Sequence, residues 1–123
     1  MDKQGPGLIS ANQGFVSLNV CQVPNAIGSL ACDAWLQKKM MRIQSRVEAA
    51  ELYTQQDDLS RAQRLMRNVT KQVNSLMSSR RLAKKTATGG SCNSARIAIG
   101  NELAGIRDLA AGISGHLNQY RGQ

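Results

Sequence analysis

The chain is short, basic and poor in aromatic residues. It has 123 residues, a formal net charge of +8 and 41% hydrophobic residues, but aromatic residues make up only 3%. A compact globule with a large core would be thinly filled by this composition, whereas helices that bury narrow apolar stripes against neighbours suit it. The 11 glycines lie towards the two ends, and none lies between Gly28 and Gly89.

Residues 1–24 are predicted to form an extended arm, because Gly, Asn and Gln predominate in the first half of this segment. Within it, residues 15–23 alternate apolar and polar side chains, which is the pattern of a β-strand. The strand would place Val16, Leu18 and Val20 on one side. A single strand would have to add to a sheet of another chain. The alternative is an irregular extended segment that lies on helices.

Residues 25–86 are predicted to form either one long basic amphipathic helix or a helical hairpin. Two apolar seams step by three and four residues, as in coiled coils and helix bundles, and their phase breaks at 54–58. Asp57 and Asp58 suit a helix start and favour a turn, whereas the absence of Gly and Pro favours continuity. The seam residues are Leu36, Met40, Ile43 and Val47, then Leu59, Ala62, Met66, Val69, Val73 and Leu76.

Residues 87–93 are predicted to be a Gly/Ser linker, and residues 94–123 a Gly/Ala-rich amphipathic helix. Beside its seam runs a stripe of small residues, Ala98, Gly105 and Gly112. Glycine disfavours helices, so we expect a neighbouring helix, of the same chain or of another subunit, to approach this stripe closely. The predicted fold class is therefore all-α, with one possible strand. The seam residues of this helix are Ile99, Leu103, Ile106, Ile113, Leu117 and Tyr120.

The cysteines and the N-terminus bear on the location of the protein. Cys21, Cys32 and Cys92 have irregular spacing, which predicts reduced thiols, with an intermolecular disulfide as the alternative. No secretory signal is recognised at the N-terminus, and no segment is expected to span a membrane. The predicted location is the cytoplasm or the interior of an assembled particle, and membrane association is not expected.

No catalytic or metal-ligating pattern is found in the sequence. His116 is the only histidine, and no carboxylate has a His or Cys at catalytic or ligand spacing. We therefore expect no enzymatic activity, no metal and no cofactor. Trp35 is interpreted as an anchor between helices rather than as a platform for a nucleic-acid base.

The most informative feature is a basic run that follows Asp58, with no further acidic residue before Glu102. Such a run could neutralise phosphates without sequence specificity, or it could contact acidic surfaces of protein partners. No aromatic residues interleave with these charges, which disfavours base stacking. The candidate contact residues are Arg61, Arg64, Lys71, Arg80, Arg81, Lys84 and Lys85.

Two functions are compatible with these features. The seams and the arm indicate a non-enzymatic structural or interaction subunit that packs among copies of itself or other proteins. Its composition is common among structural subunits of virus particles and secretion machines. The alternative is a basic helical protein that contacts nucleic-acid phosphates without sequence specificity.

Overall fold

The computed structural model describes residues 6–121, and within this range the protein is all-α with no strand. The helices are α1 (Pro6–Ser17), α2 (Val23–Ser29), α3 (Ala34–Gln55), α4 (Leu59–Met77), α5 (Arg80–Thr86) and α6 (Arg96–Arg121). A π-helical turn (Leu18–Gln22) joins α1 to α2, and short 3₁₀ turns (Leu30–Cys32 and Asn93–Ala95) precede α3 and α6. The predicted second helix therefore exists and begins at Arg96.

Four long helical segments form an up-and-down bundle. The N-terminal helix, which comprises α1, the π turn and α2, packs on α6 and α3, and α4 packs between α3 and α6. Successive long segments run antiparallel, because the connections between them are short. Thus Gly14 in α1 lies against Ile113 near the end of α6, and Arg107 in α6 contacts Met77 at the end of α4.

The prediction of an extended arm with a strand at 15–23 is wrong, because this segment is helical. Val16, Leu18 and Val20 do not share a face: Leu18 is buried, whereas Val16 and Val20 are exposed. The buried positions instead follow helical spacing, Leu8, Ala11, Phe15 and Leu18. The π turn precedes Pro24, which lacks an amide hydrogen, and shifts the hydrogen-bond register there. Residues 1–5 of the predicted arm lie outside the described residues.

Residues 25–86 do not form one continuous helix; they contain the hairpin that was the other prediction. The chain turns after Gln55, and Asp57 adopts the left-handed conformation, with φ 64°. Asp can take this conformation in place of glycine. The amide of Asp58 donates to the carbonyl of Tyr53 at 2.8 Å, and its side chain accepts from the amide of Arg61 and caps α4. A second break at Ser78–Ser79 separates the short α5 from α4.

The three predicted seams face the interior of the bundle. Every seam residue of α3, α4 and α6 is buried except Tyr120, which is half-buried. They pack against one another and against the N-terminal helix, so their partners are other helices of the same chain. The bundle therefore accounts for the seams without a second subunit.

The small-residue stripe of α6 is not packed as predicted within the chain. Ala98 and Gly112 are exposed, and a Cβ added at Gly112 would meet no atom within 4 Å. Gly105 is half-buried, and an added Cβ would lie 2.8 Å from Oε1 of Gln22. Gly105 therefore lies close to the N-terminal helix, and a further close approach occurs outside the stripe at Gly14, where an added Cβ would lie 2.6 Å from Cγ1 of Ile113. Packing of the stripe against another subunit stays a prediction.

Candidate functional site

The described part of the chain contains no group of three or more His, Cys, Asp or Glu side chains that could hold a metal ion. His116 lines a shallow cavity between α1 and α6 together with Ser10, Gln13 and Asp108. That the protein is not an enzyme stays a prediction. The features that distinguish the surface are instead charge and exposed apolar side chains.

The outward face of α4 carries a row of three basic side chains, which we call the α4 row: Arg64, Arg67 and Lys71. Spacing of three and four residues places them on one face of the helix, opposite the buried seam. All three are exposed, and no acidic side chain among the described residues pairs with them. The structure thus groups Arg64 and Lys71 as the sequence predicted and adds Arg67 between them.

Arg61 differs from the α4 row, although the sequence predicted it to belong there. Its Nε lies 3.4 Å from Oδ2 of Asp58, and its guanidinium carbon lies 5.7 Å from the ring centroid of Tyr53. Arg61 therefore takes part in the α3–α4 turn, and its charge is partly compensated.

The second basic group is the α5 cluster: Arg80, Arg81, Lys84 and Lys85. Ser79 caps α5 by accepting from the amides of Arg81 and Leu82, and this holds the helix at the end of α4. Arg80 and Lys84 are exposed. The cluster is thus divided between free cations and cations that contact α3.

Trp35 brings α3 into contact with the α5 cluster. The guanidinium carbon of Arg81 lies 4.4 Å from the ring centroid of Trp35, and the Nζ atoms of Lys39 and Lys85 lie 5.7 and 5.8 Å from it. These distances are typical of cation–π contacts. The indole is half-buried against the core, as expected of an anchor between helices. Its cationic surroundings could not be predicted, because Trp35 and Arg81 are distant in sequence.

Asp33 is the acidic side chain next to the α5 cluster. Its Oδ2 accepts a hydrogen bond of 2.5 Å from Nζ of Lys85, and its Oδ1 accepts from the amides of Trp35 and Leu36, so that Asp33 caps α3. The hydrogen bond from Lys85 is the main cause that lowers the pKa of Asp33; partial burial opposes it, and the amide donors add to the lowering.

A disulfide bond joins Cys32, before α3, to Cys92, before α6. The prediction of reduced thiols is wrong for these two residues. Sequence spacing could not reveal the bond, because the bundle brings together residues separated by 60 positions. Cys21 is free and exposed. The disulfide lies at the same end of the bundle as Asp33 and the α5 cluster, since Ser91 donates to Asp33.

The N-terminal helix has the opposite character. No charged residue occurs between Lys3 and Asp33. Ile9, Val16 and Val20 are 45%, 57% and 67% exposed and lie on one helical face, which we call the apolar row. This helix thus exposes an apolar row and no charge, in addition to the apolar face that it buries.

By length and composition, Leu8–Cys32 is long and apolar enough to cross a membrane: its best 18-residue window has mean hydropathy 1.2, and 28% of that window is buried in the bundle. One such helix is weak evidence of a membrane span, so the expectation that no segment spans a membrane stays a prediction. Core helices of soluble proteins and signal sequences have the same length and composition.

No protein family, curated protein or solved structure matches the chain.

Proposed function

We propose that the protein is non-enzymatic and that its α4 row contacts nucleic-acid phosphates without sequence specificity. The observation that carries this proposal is the row of exposed cations on one face of α4, which pair with no acidic side chain in the part of the chain that the structure describes. Residues three or four apart on a helix have Cβ atoms about 5–6 Å from each other, so the three side chains of the α4 row can reach neighbouring phosphates of one nucleic acid.

The distribution of acidic residues supports the same proposal. From Leu59 to Asn101 the sequence has no acidic residue, so α4 and α5 carry an uninterrupted positive charge. When Lys and Arg side chains neutralise phosphates, counterions are released from the nucleic acid. The affinity of the protein for nucleic acid then depends steeply on the salt concentration. A small acidic patch on a protein would neutralise fewer of these cations than a continuous phosphate backbone.

Salt dependence of binding tests the proposal. We expect log Kd for a DNA duplex to vary linearly with log salt, and we expect the triple variant Arg64→Gln, Arg67→Gln, Lys71→Gln to reduce the slope by about 2–3 units, since each lost phosphate contact removes about 0.9. Fluorescence anisotropy over a salt series measures both slopes. Duplexes of different sequence should bind with equal affinity.

The matched control is Arg107→Gln, because Arg107 lies on α6 and already pairs with Asp108 at 3.0 Å. Its slope should equal that of the wild type. Absence of binding at low salt, or an unchanged slope in the triple variant, would contradict the proposal.

A second candidate function, a subunit of a protein assembly, is favoured by the apolar row. Ile9, Val16 and Val20 expose apolar surface on an uncharged helix, which is the one long segment where two copies could meet without repulsion between like charges. The buried seams no longer support assembly, because their partners lie in the same chain.

Sedimentation tests this second candidate. We expect the wild type to self-associate, and we expect the variant Val16→Glu, Val20→Glu to sediment as a monomer. Both side chains are exposed, so their replacement should leave the helix content unchanged. A wild-type protein that stays monomeric at high concentration would exclude self-association through this row.

For location, we favour the interior of a particle that leaves the reducing cytoplasm. This proposal is supported by the disulfide Cys32–Cys92, because such bonds persist in oxidising surroundings.

A further inference from the structure

A groove between α3 and α4 lies next to the α5 cluster. It has a volume of about 150 Å³ and is lined by Trp35, Lys39, Ile43, Gln72, Ser75, Leu76 and Ser79. Ile43 and Leu76 are buried and provide an apolar floor. A closed apolar cavity of about this volume holds benzene. Because this groove opens to solvent, a larger flat ring could enter it by one edge.

Cations surround the groove at both ends. At one end, Lys39, Arg81 and Lys85 lie around the ring of Trp35, and Asp33 pairs with Lys85 alone among them. At the other end, Nη1 of Arg46 donates to Oε1 of Gln72. A ring inserted between these ends would therefore have positive charge on either side of it. A ligand that fits this arrangement has a flat ring between two anionic groups. One nucleotide within a nucleic-acid strand has these features, because its base lies between two phosphates.

Polar side chains beside the apolar floor could form hydrogen bonds with the edge of such a ring. Gln72 and Ser75 line the α4 side of the groove. A carboxamide and a hydroxyl can each donate a hydrogen bond to an acceptor on a base. In a duplex the bases are stacked and paired, so only an unpaired base could reach these atoms.

We propose that the α3–α4 groove accepts one unpaired base of a single-stranded nucleic acid. This inference rests on the proposed contact between the α4 row and phosphates. It also differs from the expectation drawn from the sequence. There, contact with bases was disfavoured because no aromatic residue interleaves with the basic run. The fold supplies the missing aromatic residue from α3, where Trp35 meets Arg81.

The test compares three probes with the wild-type protein at one salt concentration: a short oligothymidylate, an abasic strand of the same length, and a duplex. We expect oligothymidylate to bind roughly tenfold more tightly than the abasic strand, which is within the range for one base on an aromatic site. Trp35 is the only tryptophan, so its fluorescence should change with oligothymidylate and not with the abasic strand.

A groove-filling variant, Ser75→Leu, keeps every charge and should lower oligothymidylate affinity to that of the abasic strand. The matched control is Asn74→Leu, since Asn74 is the exposed neighbour that does not line the groove. Duplex affinity should be the same in both variants and the wild type.

The outcomes separate the two proposals. If oligothymidylate and the abasic strand bind equally well to the wild type, the base site is excluded and phosphate contact stands. If Ser75→Leu folds and binds oligothymidylate like the wild type, the base site is likewise excluded. If no probe binds even at low salt, both proposals fail.

Discussion

The N-terminal helix and α4 have similar length but opposite surfaces. Both bury one apolar face in the bundle, yet the outward face of the N-terminal helix is uncharged and exposes Val16 and Val20, whereas that of α4 carries Arg64, Arg67 and Lys71. The core requires only the buried stripe of each helix. The core therefore does not explain the difference between their outward faces, and this difference is the basis of both functional proposals.

The two regions are also joined differently to the rest of the bundle. The N-terminal helix lies close to α6 because Gly14 leaves room for Ile113. At the other end, the disulfide and the Asp33–Lys85 pair connect the residues that precede α3 to α5 and the loop before α6. Three experiments test how far each region depends on its own contacts.

The largest effect is expected from loss of the disulfide. Cys32–Cys92 closes a loop over a sequence separation of 60 residues, and the chain-entropy model gives about 4 kcal/mol of stabilisation for a loop of this length. The variant Cys32→Ala, Cys92→Ala should therefore unfold at a much lower urea concentration than the oxidised wild type. Urea titration followed by circular dichroism measures the difference.

Cys21 provides the control, because it is free and exposed. Cys21→Ser should unfold like the wild type, and a reducing agent should destabilise both of these proteins and leave the double variant unchanged. Equal stability of the wild type with and without reductant would show that the bond is not formed in solution.

An intermediate effect is expected at the contact between α1 and α6. Gly14→Ala should destabilise the protein by about 1–2 kcal/mol, since overpacking against buried Ile113 costs about 1–3 kcal/mol and the gain in helix propensity offsets up to about 1. Gly112→Ala should stabilise it by about 0.5–1 kcal/mol, because that site is open. Thermal unfolding measures the change in stability of each variant. Stabilisation by Gly14→Ala would contradict the close packing of Gly14 against Ile113.

The sequence predicted the helical class and the buried seams because both depend on local spacing. Leu59 to Leu76 and Ile99 to Leu117 repeat every three or four residues, and this pattern needs no knowledge of partners. The N-terminal helix was missed because its small and polar residues resemble an arm and because Val16, Leu18 and Val20 happen to alternate. The sequence does not decide between a turn at 54–58 and a continuous helix, because the segment has no Gly or Pro. The turn forms nevertheless, since aspartate can replace glycine in the left-handed conformation.

Features of the candidate site that depend on distant residues could not be predicted. Trp35 meets Arg81, Asp33 meets Lys85 and Cys32 meets Cys92 only after the bundle has formed. By contrast, the α4 row follows from helical spacing within one element. The sequence prediction differed from this row in two residues: it omitted Arg67, and it included Arg61, whose contact with Asp58 depends on where α4 begins.

The smallest effect is expected from Asp33→Asn, and its size depends on pH. Lys85 lowers the folded-state pKa of Asp33 below the ordinary 3.8. The pair therefore stabilises the fold fully above that value, and this stabilisation is lost as pH falls through the lowered pKa. Asn caps a helix as well as Asp does, so the variant should be less stable than the wild type at pH 7 and equally stable well below pH 3.8.

Urea midpoints across this pH range measure the difference in stability between variant and wild type. The control is Asp108→Asn at the exposed Arg107 pair, which should be as stable as the wild type throughout. A difference that is constant with pH would mean that Asp33 acts through its cap and not through its charge.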